Sequence, residues 1–567
     1  MKAWFKRPES LVLLCCLGLY LPFMGEAVLR TTGDEKVYVA QALEMSLRSS
    51  WFVQTLAEVP NYYKGPLHYI LLRIGYSIFG THSLWSALWM NLLSLSVAAW
   101  ALTRSLRLLW QDESAALTAG LGLVLAPGIF AHAFASQMEV ELTAVYAIVL
   151  ALCLRLKPES PRAFATWIAA WFWIGLASWL KSPLHSALLG VGLGGYCFFR
   201  SSWRQAFLGK VRFYLAPLFG VIVGGLAYAI PWLLDPEAFY RTYILRETVG
   251  KGPNGVGIWE SILPNLSYHL WPVFPLLLVG LLALIPYVRS SQRRLTLAPG
   301  MGLALALALP TFGFFAWHPY RSEIYSLPAI PCVLVLVAGL GKMAGELMPQ
   351  SFRRAQLFTL GFSFVPTLLV LALHLRFFHR ETWWPASLLP VVLLCLFVQV
   401  FGFLAFRKSD LKRPLPAYSL MLWWPAWGAI AMLMVVLGQE DYRELRQLTQ
   451  SFSRTEVFGF YNAQHFVWSE WGLLNLTSGL KVKGLHSEAA IKEWLEQGHP
   501  LIVSSEEDRS KVKALLPDAQ LVQWTWSRWA SHGIHTPERN PRIAWQKADL
   551  SLLRQEAFVL QKEVISL

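Results

Sequence analysis

The chain is 567 residues long, 55% hydrophobic and only 15% charged, with 27 tryptophans, and that apolar excess is more than a water-soluble core of this size can bury. A soluble globular enzyme is thereby excluded, and much of the surface must face lipid. The net charge of +14 does not point to nucleic acid, because the basic residues concentrate on alternate short loops, as in Arg200, Arg204, Lys210 and Arg212 or Arg289, Arg293 and Arg294, the distribution that retains loops on the cytoplasmic side.

Apolar runs of about 18 to 25 residues, each able to cross about 30 Å of hydrocarbon as a helix, recur through residue 438. They predict a polytopic α-helical membrane protein of about thirteen transmembrane helices, at 10–29, 82–108, 114–133, 138–155, 163–180, 184–200, 211–235, 268–288, 296–316, 324–343, 355–375, 385–407 and 419–438. The run 66–80 is short and contains Arg73, which suits a re-entrant or interfacial helix, so it is not counted. A basic N-terminus precedes the first run, yet no small-x-small cleavage site follows before Glu26, and the first helix is expected to stay attached. With the N-terminus cytoplasmic, an odd helix count puts the C-terminus outside.

Three longer stretches, 30–81, 236–267 and everything after 438, then share the outer side. Residues 34–49 carry Val37, Ala40, Leu43, Met45 and Leu47 among charges, the pattern of an amphipathic helix lying on the bilayer surface. The expected division is a transmembrane catalytic region over 1–438 and a soluble extracytoplasmic α/β domain over 439–567. In that tail 456–461 and 500–504 read as strands, 487–497 as a helix opened by a Ser cap, and 507–516 as another helix. Trp524, Trp526 and Trp529 could stack on sugar rings, but core or interface packing is the better reading. All six cysteines fall inside predicted spans, so no disulfide framework or metal cluster is expected. The sequons at Asn265 and Asn475 are common tripeptides that carry little weight.

Charged side chains at the membrane boundary are costly unless solvated, paired or bound to a ligand. The outer side collects Asp34 and Glu35 after the first span, Lys64 in Tyr62-Tyr63-Lys64-Gly65-Pro66, Glu139 and Glu141 opening the fourth span, and Lys181 closing the fifth. Arg246 and Lys251 lie in the long outer loop, and Arg321 with Tyr325 precedes the tenth span. Singly, each reads as an interfacial anchor. Gathered on one side, an acid and several cations suit transfer from a phosphate-linked donor: the carboxylate takes a proton from the attacking group and the cations stabilise charge building on the departing phosphate.

Asp34-Glu35-x-x-Tyr38, Tyr62-x-Lys64-x-Pro66 and Arg321-x-x-x-Tyr325-x-Leu327-Pro328, in this order and followed by a soluble tail, resemble the GT-C glycosyltransferases of the aminoarabinose transferase (lipid A) and protein O-mannosyltransferase superfamily. The resemblance implies an inverting transferase with Asp34 as catalytic base, Glu35 beside it, and Glu139 as a second acid where the family usually carries Asp. It implies Lys64, Arg321 and Tyr325 as donor-phosphate ligands, with Tyr38 and Tyr62 as further cavity residues; Arg246 and Lys251 join the phosphate ligands, and Lys181 the cavity residues, by charge and place alone. Arg321 replaces a customary lysine, which keeps the charge and changes its geometry. Members of the aminoarabinose type carry Glu-Lys-Pro where this chain has Tyr63-Lys64-Gly65-Pro66, and an arginine where it has Val37. A metal site using that glutamate is therefore not carried over; no cofactor is assigned, and a divalent ion is compatible without being supported. The implied partners are a polyprenyl-phosphate-linked sugar, a lipid A or other glycolipid acceptor, and the membrane, expected to be a bacterial inner membrane with the tail periplasmic. A secreted-protein acceptor, an oligosaccharide polymerase and a transporter or flippase of lipid-linked sugars are the alternatives.

Overall fold

The computed structural model describes residues 7–25, 35–56, 59–62, 64–81, 83–250, 257–267, 269–289, 300–318, 322–378, 384–408, 420–450, 452, 456–461, 470–478, 480–485, 487–517, 519–529, 547 and 554–562. Each of the predicted spans coincides with a helix. Leu84–Trp110, Ala163–Leu180, Val211–Leu234, Leu327–Leu347, Pro349–Phe377 and Leu388–Arg407 are long and apolar enough to cross a bilayer. Glu113–Val124 and Pro127–Ala133 are two helices that meet at a bend of 47° and together reach the length and apolarity of a crossing; Pro127 cannot extend the preceding helix. Pro8–Met24, Pro183–Phe199, Phe274–Pro286, Met301–Trp317 and Trp423–Leu437 are shorter apolar helices. The remaining span, Met138–Arg155, carries Glu139, Glu141 and Arg155. It tolerates them because it packs between Leu84–Trp110 and Ala163–Leu180 and is buried along nearly its whole length rather than bathed in lipid. The protein is thus a multi-pass membrane protein. Peripheral helices show the reverse: on Leu388–Lys408 the side chains of Leu394, Phe397 and Phe401 are exposed, as expected of a surface whose solvent is hydrocarbon.

Pro66–Phe79 is a 14-residue helix, about 21 Å long at the α-helical rise and so shorter than a hydrocarbon crossing. It buries His68, Tyr69, Leu72, Arg73 and Tyr76 on one face and leaves Ile78 and Phe79 exposed. The Arg73 guanidinium donates to the Ser50 carbonyl and stacks 3.8 Å over the Trp51 ring, which accounts for the arginine that sets this run apart in the sequence.

Glu35–Leu47 is helical where expected, but it does not lie on the bilayer surface. Every residue from Glu35 to Met45 is buried, because Pro66–Phe79 covers one side and Glu470–Ser478 another. Gly472 sits so near the Ala40 backbone that an added Cβ would stand 3.0 Å from it. The amphipathic pattern misled because the polar residues of this helix face protein rather than water.

The tail forms a mixed five-stranded sheet. Counting the small hairpin strands β1 (Thr55–Leu56) and β2 (Val59–Pro60) first, its strands are β3 (Val457–Tyr461), β4 (Lys481–Gly484), β5 (Leu501–Val503), β6 (Leu521–Trp529) and β7 (Arg554–Lys562), in the order β4-β3-β5-β7-β6. β3 is parallel to β4 and β5, and β7 is antiparallel to β5 and β6. Period-two alternation sends Leu501, Val503, Phe558 and Leu560 towards the helices Glu488–Glu496 and Glu506–Leu515. Phe458, Phe460, Ile502, Trp526 and Val559 join the core of the helical bundle instead. Ser487 caps its helix by accepting from the Ala490 N–H, as the sequence predicts. Trp526 is buried and Trp524 packs 5.2 Å from Phe452, so these two are packing residues; the Trp529 side chain lies outside the described residues. The Asn475 amide is buried, donates to the Trp471 and Val482 carbonyls and accepts from the Val482 N–H, which leaves it no freedom to carry a glycan. All six cysteines are unpaired thiols within helices.

Candidate active site

Met138–Arg155 begins at Gln137, and the alternation Gln137, Glu139, Glu141 sends three polar side chains to three different elements. Gln137 Nε2 donates to Glu35 Oε2 at 3.0 Å, across to the buried start of Glu35–Leu47. Glu139 pairs with Lys181 Nζ. Glu141 holds His68 Nδ1 at 3.0 Å from both of its oxygens. Two carboxylates in the first turn also sit at the positive end of the helix dipole.

Lys181 closes Ala163–Leu180, and Ser182-Pro183 turns straight into the next helix, a reversal that Pro183 at the first helical position favours. Lys64 stands in an equally tight turn. Its carbonyl accepts from Gln54 Nε2 at 3.1 Å, and the Gly65 N–H donates to the Lys181 carbonyl at 3.2 Å. The two lysine backbones are thereby side by side. Only glycine fits at 65: a Cβ there would stand 2.3 Å from the Trp179 carbonyl oxygen and 2.5 Å from that of Ser178. This close approach is the physical content of the Gly65 departure noted in the sequence.

Both lysines line one cavity of about 480 Å³, inside the range of about 300–1,000 Å³ typical of small-molecule sites. Tyr240–Val249, wound as a π-helix, places Tyr243, Ile244, Glu247 and Thr248 on its wall, and His185, Phe315, His318 and Tyr325 close other sides. Lys64 Nζ lies 2.5 Å from Glu247 Oε2, both nearly inaccessible. Lys181 Nζ is 4.4 Å above the Tyr325 ring. Behind the wall, Tyr146 Oη bridges Thr311 Oγ1 at 3.0 Å and His185 Nδ1 at 3.3 Å. The cavity therefore offers two ammonium groups with buried carboxylate counter-ions, an arrangement suited to an entering phosphate that takes over one or both cations.

Of the residues singled out in the sequence, Lys64, Lys181 and Tyr325 line this cavity and Glu139 reaches it through Lys181. Glu35 is buried one element away on Gln137. Tyr38 stacks edge-on against His68 and Tyr69. Tyr62 packs on Phe239, its backbone N–H bound to Thr242 Oγ1; burial, with the charge of Asp235 added, pushes its hydroxyl up to about 12. Arg246 stands outside the lining with its side chain 55% exposed, 4.0 Å from Glu247. Asp34, Lys251 and Arg321 lie outside the described residues, as does Tyr63. Glu247, His185 and His318 are the cavity residues sequence reasoning missed. Glu247 had one signal, its place beside Arg246 in the long outer loop. Among the described residues no group of three or more His, Cys, Asp or Glu is placed to hold a metal ion.

The family model described as dolichyl-phosphate-mannose-protein mannosyltransferase matches residues 63–233, the segment that contains Lys64, Glu139 and Lys181. Among solved structures, ArnT from Cupriavidus metallidurans in the apo state is similar at 18% identity with a TM-score of 0.67, covering 97% of each chain. The same protein bound to undecaprenyl phosphate is similar at 18% identity with a TM-score of 0.68, covering 98% of each chain. No curated protein matches significantly. The chain thus shares the whole-chain fold of these structures, and residues 63–233 match the family model.

Proposed function

We propose that the protein is an inverting glycosyltransferase that moves a single sugar from a polyprenyl-phosphate carrier to an envelope acceptor, lipid A or another glycolipid, on the periplasmic face of a bacterial inner membrane. The observation that carries this reading is the convergence of Lys64, Lys181 and Tyr325 on one cavity, from elements far apart in the chain. That the similar ArnT was solved with undecaprenyl phosphate supports a polyprenyl phosphate as the carrier.

In the proposed reaction the acceptor oxygen attacks the anomeric carbon from the face opposite the phosphate. Its proton passes to the Asp34 carboxylate, and the bond from the anomeric carbon to the phosphate oxygen breaks with its electron pair on that oxygen. Lys64 and Lys181 hold the departing phosphate, and their charge is worth most in a cavity that excludes water. Glu139 and Glu247 hold the two ammonium groups in place before the donor arrives.

The test is single-turnover transfer by purified protein. Asp34→Asn should lose about 10²- to 10⁴-fold in rate, the usual worth of a general base, with unchanged thermal unfolding. Retained turnover removes Asp34 from the mechanism, and movement of labelled lipid across vesicles with no glycosidic bond formed overturns the transferase reading. The description of the matching family favours a protein acceptor as the second reading. Mass spectrometry of lipid and protein fractions, with and without active protein, separates the two by where the added sugar appears.

A further inference from the structure

A second cavity, of about 460 Å³, lies away from the site just described, between the end of Glu35–Leu47 and the edge of the sheet. Its walls combine Leu43, Leu47 and Arg48 of the helix end, Thr81, Trp471, and Lys481 with Lys483 of β4. β4 is an outer strand of the sheet. Its burial alternates, Val482 inward and the two lysines exposed, so both ammonium groups project to one side. Lys483 also reaches the Trp494 ring, 5.8 Å away. Glu44 is the acid of the cavity and sits one helical turn before Arg48, so the strand lysines supply the surplus positive charge. The indole N–H of Trp471 is buried and has no acceptor among the described residues, an expensive state for a donor in the absence of a ligand.

Location narrows the ligand. Thr81 stands three residues before Leu84–Trp110, one of the long apolar crossings, which puts the cavity at the level where that helix leaves the hydrocarbon. Leu47 of its wall is exposed, as are Ile78 and Phe79, three and two residues before Thr81, apolar surface that water would not favour. We propose that this cavity binds the headgroup of an anionic phospholipid, with its phosphate on Lys481, Lys483 and the Trp471 N–H and its acyl chains continuing over Leu47, Ile78 and Phe79. A zwitterionic headgroup brings its own cation and leaves the surplus lysine charge unmet. A free phosphate fills little of the volume and covers none of that apolar surface. The bound lipid ties the sheet to the membrane, and the inference stands independently of the transferase reading.

The test is native mass spectrometry of the full chain in detergent, titrated with phosphatidylglycerol, phosphatidylcholine or inorganic phosphate. Tight binding of one phosphatidylglycerol is expected, weaker by about tenfold or more in Lys481→Gln/Lys483→Gln, since each juxtamembrane lysine contributes about 1 kcal/mol to anionic lipid binding. The pair Lys481→Arg/Lys483→Arg should retain it, which separates loss of charge from loss of fold, and Trp471→Phe should weaken it to a lesser degree. Equal affinity in the glutamine pair, equal weakening in the arginine pair, equal binding of phosphatidylcholine, or displacement of the lipid by equimolar inorganic phosphate would each overturn the proposal.

Discussion

The two ends of the helical bundle use ion pairs in opposite ways. At one end Arg107 grips Glu9 through two hydrogen bonds of 2.9 Å and Lys342 meets Asp112 at 3.3 Å, with Arg107, Lys342 and Asp112 all partly open to solvent. At the other, Lys64–Glu247 and Lys181–Glu139 are closed off, every side chain at 9% exposure or less. Open pairs of this sort contribute about 0–1 kcal/mol and serve as anchors. Closed pairs carry a desolvation cost that apolar residues of similar shape would avoid. A fold selected only for stability would not concentrate them around one cavity, whereas a phosphate site needs charge held ready in a dry place.

That contrast can be broken at several points. The largest effect is expected from Lys181→Ala, which leaves Glu139 buried and uncompensated: stability should fall by about 3–5 kcal/mol, read as thermal unfolding in detergent, and transfer should be lost. Adding Glu139→Leu to that variant should restore most of the stability without restoring transfer. Lys64→Gln comes next, with transfer reduced by about 10²- to 10³-fold, the usual cost of removing one group that stabilises a departing charge, and a smaller change in unfolding temperature. Gly65→Ala should destabilise by about 1–3 kcal/mol through overpacking against the Trp179 and Ser178 carbonyls and raise the KM for the donor by displacing Lys64. Lys342→Gln should change stability by about 1 kcal/mol or less and leave transfer untouched. A Lys342 effect as large as that of Lys181 would erase the distinction between the two ends.

Much of this was legible in the sequence, for identifiable reasons. Spans announce themselves because only a helix of sufficient apolar length satisfies its backbone in lipid, and even charged Met138–Arg155 was recognised. Two of the five tail strands, β3 and β5, and the Ser487 cap follow from alternation and local hydrogen bonding, whereas β4, β6 and β7 do not stand out in the sequence. Lys64 and Lys181 could be proposed because boundary cations stand out, but their adjacency depends on one hydrogen bond between Gly65 and Lys181, a tertiary fact with no sequence signature. Glu247 was missed because the role of a loop acid is set by the lysine it meets. The amphipathic pattern of Glu35–Leu47 points to the bilayer surface, because a single sequence does not show that Glu470–Ser478 covers it.

Affinity for undecaprenyl phosphate, measured on purified full-length protein by native mass spectrometry, tests the central claim most directly. Lys64→Gln and Lys181→Gln should each weaken binding by about tenfold or more, as expected for a charge-assisted contact worth about 1.5–3 kcal/mol, while Lys342→Gln binds as wild type does. Wild-type affinity in both cavity variants would contradict the assignment of that cavity to the donor phosphate.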